Sequence, residues 1–183
     1  MRYVLMFLML LFMAVSIVFA PQGLFTPPRF GEETIGPWWY LCTPMDPGQP
    51  GRGQLPEDFR TQLDKLALEH GPEAFLYLHD PLTTPEDSLH GYAGVLLPDT
   101  TGIAKACAAG MTVALIDSVH AVGAKFPYRG DISLRIGAWK SAEKLRKRAR
   151  REGLQGEEMW EVRDPNTEQI SYWVPERKGK LGN

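Results

Sequence analysis

Cysteine is almost missing from this 183-residue chain. Cys42 and Cys107 lie far apart and form no CxxC, which argues against a metal site built on them; sequence leaves open whether they pair in an oxidising compartment. Two free, buried thiols are expected. Histidine is nearly as scarce: His70, His79, His90 and His120 lack ligand spacing as a set. No GxSxG, no HExxH and no P-loop occurs, so the balance is against an enzyme, and no cofactor is expected. A single sign of charge is lacking too. The formal net charge is −2, and nothing in it calls for nucleic acid as a partner.

What the chain does have is one long apolar run at its start, Tyr3 to Ala20. A helix needs about 20 mostly apolar residues to cross a bilayer, with about 17 as the lower limit. The run reaches that range and reads as a transmembrane anchor over 1–20. The competing reading is a cleaved secretory signal, for which Val18-Phe19-Ala20 offers a loose small-x-small site. Pro21 directly after it makes a poor substrate for signal peptidase. Arg2 precedes the run and Glu32 and Glu33 follow it, so the rest of the chain is expected on the extracytoplasmic (periplasmic) side. Residues 21–36, rich in proline, read as an extended linker. Residues 37–176 then form one domain, and 177–183 a C-terminal tail.

The domain reads as two copies of one unit. In the first, Trp38–Cys42 is an aromatic strand, and a helix opens at Pro56-Glu57-Asp58 with proline and acids in its first turn. Its apolar residues Phe59, Leu63, Leu66 and Ala67 repeat at helical spacing, with Gly71 placed to end it. Two strands follow, Ala74–Asp80 and His90–Leu97. In the second, Thr112–Phe126 is β-rich, and a helix spans Ile132–Arg151 with the stripe Ile132, Ile136, Trp139, Ala142, Leu145, Ala149. Gly153 ends it, and Met159–Asp164 and Gln169–Val174 close as a hairpin. The third elements end in Asp80-Pro81 and Asp164-Pro165, an offset of 164 − 80 = 84 residues. The fold expected is α+β: a duplicated strand-helix-strand-strand unit in one antiparallel sheet. Both helices lie on one face, the other face is concave, and the N-terminal transmembrane helix stands apart.

Ser118–Tyr128 (SVHAVGAKFPY), the helix after it and Trp160-Glu161-Val162 before Asp164-Pro165 resemble the GyrI-like small-molecule-binding (effector-binding) domain superfamily. The stretch LYLHDPLTTPEDSLHGYAGVLLPD of the first half resembles it as well. The resemblance covers about residues 38–176 and implies a ligand cleft between the two halves. A glutamate at the place of Glu161 is, in that family, the usual anchor for a cationic or polar ligand. No helix-turn-helix precedes the domain, which sets the transcription-factor version aside.

Strand alternation separates Met159, Glu161 and Arg163 from Trp160 and Val162. The apolar pair is expected to face the helices, with Glu161 on the concave face. Tyr77 holds the duplicate position and should sit across the pseudo-twofold axis, with Phe75 on its face. Glu161, Tyr77, Phe75, Met159 and Trp173 are therefore the candidate ligand-binding residues, suited to a flat or cationic molecule. The blander reading has Glu161 solvated or paired with a neighbour such as Arg163.

Between Lys140 and Arg151 stand seven basic residues against one acid, Glu143. That net of +6 leaves −8 for the rest of a chain of −2. Such a face is either solvated or a docking surface for a partner or for lipid headgroups, with Lys140, Lys144, Lys147, Arg148 and Arg151 as its residues. Small-molecule binding at the membrane is the first function expected. The alternative is a non-catalytic accessory subunit of a larger membrane protein complex, docked through the anchor and the basic helix.

Overall fold

The computed structural model describes residues 2–45, 53–79, 81, 84–85, 88–154 and 158–176. Asp80 and the tail from 177 onward lie outside the described residues. The chain runs α1 (Arg2–Phe19), β1 (Arg29–Ile35), β2 (Trp38–Met45), α2 (Glu57–Leu66), β3 (Glu73–Tyr77), β4 (Gly91–Leu97), α3 (Thr101–Ala108), β5 (Thr112–Ile116), β6 (Val119–Pro127), α4 (Asp131–Arg151), β7 (Met159–Asp164) and β8 (Gln169–Pro175). None of α1 is buried. It is long and apolar enough to cross a membrane, a property that signal sequences share.

The eight strands of the described residues join one antiparallel sheet in the order β1-β6-β8-β7-β3-β4-β2-β5. From the centre outward, β7-β8-β6 mirrors β3-β4-β2, which is the duplicated unit. Each unit also has a leading strand that crosses over: β1 borders β6 of the second unit, and β5 borders β2 of the first. The stretch read as a linker therefore contains a sheet strand, since Arg29–Ile35 pairs with Val119–Lys125. Because β1 passes into β2 through Gly36 and Pro37 alone, the two ends of the sheet must approach. A Cβ on Gly36 would lie 2.9 Å from the Asp117 carbonyl oxygen just after β5.

The curled inner face is filled. Ring centroids of Tyr40 and Trp160 lie 5.1 Å apart, those of Trp38 and Trp173 5.6 Å, and those of Trp38 and Trp160 6.2 Å. The Tyr40 hydroxyl reaches the carbonyls of Ala74 at 3.0 Å and Tyr92 at 2.9 Å. Both α2 and α4 pack on the opposite face: Phe59, Leu63, Leu145 and Ala149 share a core with Leu41, Phe75, Val95, Val122 and Tyr172. Trp160 and Val162 therefore turn away from the helices, and Glu161 toward them. The alternation was legible; which side took the helices was not, because both faces of the central strands carry large apolar residues.

The helix ends follow local chemistry. At α4, Gly153 is left-handed (φ +79°), Leu154 N–H donates to Ala149 at 2.9 Å and Gly153 N–H to Arg150 at 3.1 Å. This is a Schellman cap, with buried Leu154 as its apolar contact. Helix α2 stops earlier than Gly71, at Ala67 (φ +46°), whose N–H donates to Asp64. Gly71 instead donates to Leu96 at 2.7 Å and leads the chain into β3.

Only the second half of the expected α4 stripe is buried. Ala142, Leu145 and Ala149 are in the core, whereas Ile132 and Trp139 are exposed. The first half buries Ser133 and Gly137 instead. A Cβ on Gly137 would lie 2.8 Å from the Phe126 ring, so the helix comes too close to the sheet for a larger residue. Ser133 Oγ accepts from Arg129 N–H at 2.7 Å and donates to the Gly130 carbonyl at 2.6 Å, which satisfies the helix start. Both cysteines are free; Cys42 is buried, but Cys107 is exposed on α3, a helix of eight residues with too few turns to show a period. Burial pushes the Cys42 thiol up to about 12, which keeps it protonated and unreactive.

Candidate ligand-binding site

The two central strands, β3 and β7, meet on the helix-covered face between α2 and α4. Register places Phe75 opposite Glu161, Tyr77 opposite Met159 and Glu73 opposite Arg163. On the other flank of β7, Tyr172 of β8 is the partner of Glu161. Phe75, Tyr77, Met159 and Tyr172 are at most 2 % exposed, Glu161 6 % and Arg163 5 %. Four of the five expected ligand residues therefore share one buried cluster. The fifth does not: Trp173 lies on the inner face, its indole N–H donating to Glu33.

A buried carboxylate needs a partner, and here it has one. Arg163 Nε donates to Glu161 Oε1 at 2.7 Å, and Nη2 donates to the same oxygen. The guanidinium carbon stands 4.4 Å from the centroid of the Phe75 ring. Arg163 Nη1 donates to the Gly53 carbonyl, and Glu73 Oε2 lies 3.8 Å away. Gly53 has φ +69°, and a Cβ there would fall 1.6 Å from Arg163 Nη2, so the chain covers the guanidinium with the one residue that fits. Burial, the largest single influence, would lower the Arg163 pKa; the charge and hydrogen bond of Glu161, with Tyr77 and Glu73, together outweigh it, and the net shift is upward. Tyr172 is held well above the usual phenol range, first by burial and then by Glu161. The Arg163–Glu161 pair is ringed by the aromatic side chains Phe75, Tyr77 and Tyr172.

A planar, delocalised charge already lies over an aromatic ring and against a carboxylate. Sequence reasoning picked out Glu161, Phe75, Tyr77 and Met159, and named Arg163 only as a pairing partner. It passed over Tyr172, which the alternation of Ile170, Tyr172 and Val174 would have placed, and Gly53, which nothing in its loop marks out. Among the described residues, no group of three or more His, Cys, Asp or Glu is placed to hold a metal.

The five basic residues read as a docking set divide. Lys140 turns to backbone carbonyls of residues 23–26, Lys147 pairs with Glu143 at 2.6 Å, and Arg148 with Glu32 at 2.9 Å. Among the described residues Lys144 and Arg151 make no ion pair.

By sequence, the chain matches no family model and no curated protein. By structure it is similar to the C-terminal domain of EcmrR, with a TM-score of 0.54 at 13 % identity over 81 % of this chain and 96 % of that one. The two share a fold. A structure of SAV2435 bound to tetraphenylphosphonium is also similar, with a TM-score of 0.49 at 11 % identity over 80 % of this chain and 93 % of that one. At 13 % identity the likeness to the EcmrR domain speaks for the fold alone, not for any residue of the site.

Proposed function

We propose that this GyrI-like chain is a membrane-anchored small-molecule-binding protein. Its ligand is a flat, cationic compound taken up against Glu161, Phe75, Tyr77 and Met159. The observation that carries the reading is the Arg163 guanidinium, a flat cation that lies over Phe75 with Glu161 as its counter-charge. A ligand of the same character displaces it. Buried Tyr77 and Met159 add apolar walls, a combination that suits an aromatic cation. Trp173 is no part of this site. Helix α1 is the anchor, and the charges of Arg2 on one side and Glu32 and Glu33 on the other favour the extracytoplasmic side for the domain.

Calorimetric or fluorescence titration with a panel of aromatic cations tests this. Glu161→Gln keeps the shape and deletes the charge. Hydrogen bonds to charged groups contribute about 1.5–3 kcal/mol, so affinity is expected to fall by roughly one to two decades. Equal affinities would remove Glu161 from the site, and no binding at millimolar concentration would end the ligand reading.

A further inference from the structure

The turn that leaves α1 is fastened to the middle of α4. Lys140 Nζ donates to the carbonyls of Gly23 and Thr26, both at 3.0 Å, and to that of Leu24. Its ammonium is 5.8 Å from the centroid of the Phe126 ring. Gly23 presses on the same ring, where a Cβ would fall 2.6 Å from the ring tip. The domain is thus held at the end of the hydrophobic helix and cannot swing away from it as a flexibly tethered one would.

At this junction large apolar side chains face outward. Trp139 is 73 % exposed and Phe25 62 %. With Pro27, Pro28, Lys140, Lys144 and the Lys147-paired Glu143 they line a groove of about 410 Å³. Lys144 also borders the adjoining groove of about 490 Å³, where Phe30, Lys147, Arg148 and Arg151 take over, with Glu152 the one acid. The face of α4 therefore grades from aromatic beside the anchor to basic farther along. Tryptophan with an apolar body and a polar N–H is the side chain that concentrates at membrane–water interfaces, and basic clusters next to a spanning helix attract anionic headgroups.

We propose that this face of α4 lies on the bilayer surface, with Trp139 and Phe25 in the interfacial layer and Lys144 and Arg151 on anionic headgroups. The inference rests on α1 spanning the membrane. It goes beyond ligand binding, since it fixes how the domain is oriented.

The full chain is reconstituted in vesicles of phosphatidylcholine, alone or mixed with phosphatidylglycerol, with brominated acyl chains as quenchers. Tryptophan quenching is compared between wild type and Trp139→Phe. Wild type is expected to be quenched more, the difference to grow with phosphatidylglycerol, and the growth to vanish in Lys144→Glu/Arg151→Glu. Equal quenching of the two proteins in vesicles that float with bound protein would overturn the docking and leave the anchor standing. Protein that fails to float with the vesicles would overturn both. Shielding of Trp139 that follows protein concentration and ignores bromine would give the face to a second copy and overturn the proposal.

Discussion

Leu145→Asp is expected to leave the domain unfolded at room temperature. Leu145 is wholly buried among residues of β6, β8 and α4. Losing its burial removes about 1.5–3 kcal/mol. A carboxylate in the same buried, apolar place adds a desolvation penalty of several kcal/mol. The sum is comparable to the roughly 5–15 kcal/mol that holds an ordinary domain together. Trp139→Gln is the control, since the same helical stripe would bury it but the structure exposes it; its effect is expected within about 0.5 kcal/mol. Circular dichroism and thermal melting of both variants in mild detergent provide the check. A Leu145→Asp protein that melts like wild type would mean that α4 is packed through a different face.

The second large effect concerns the ion pair. Arg163→Met alone leaves Glu161 buried without its cation, and Glu161→Leu alone leaves Arg163 without its anion. Removing one member of a buried pair costs about 3–5 kcal/mol, whereas replacing both by apolar groups of similar volume is often neutral. The double variant is therefore expected to be more stable than either single one, with a coupling well beyond the few tenths seen for independent sites. Chemical denaturation of the four proteins measures it. Additive single effects would mean that the two groups are solvated and that the site is open to water.

Much of this fold was legible in the residues. The hairpin Met159–Asp164 with Gln169–Pro175, the aromatic strand at Trp38 and the two long helices followed from alternation, period and caps. What was not legible has physical causes. Arg29–Ile35 has the composition of a linker, and it becomes a strand only because β6 offers an edge 90 residues downstream (Arg29 to Val119). The early part of α4 packs through Ser133 and Gly137, small residues that a hydrophobic stripe does not reveal. On the central strands both faces are apolar, so nothing local said whether Trp160 or Glu161 would meet the helices. Alternation put Phe75, Tyr77, Met159 and Glu161 on one face of the sheet, and the register has them there, though on the helix side. Trp173 was misplaced because its strand, like β7, is apolar on both faces; it falls in register with Trp160, on the inner side.

The most direct measurement is the affinity of one aromatic cation for Arg163→Met beside wild type. If Arg163 occupies the ligand's place, the variant frees both the carboxylate and the Phe75 ring. The account predicts tighter binding by about one to two decades, the worth of a charged hydrogen bond, together with a ligand-dependent recovery of the variant's melting temperature. Binding equal to or weaker than wild type, with no thermal recovery, would contradict it.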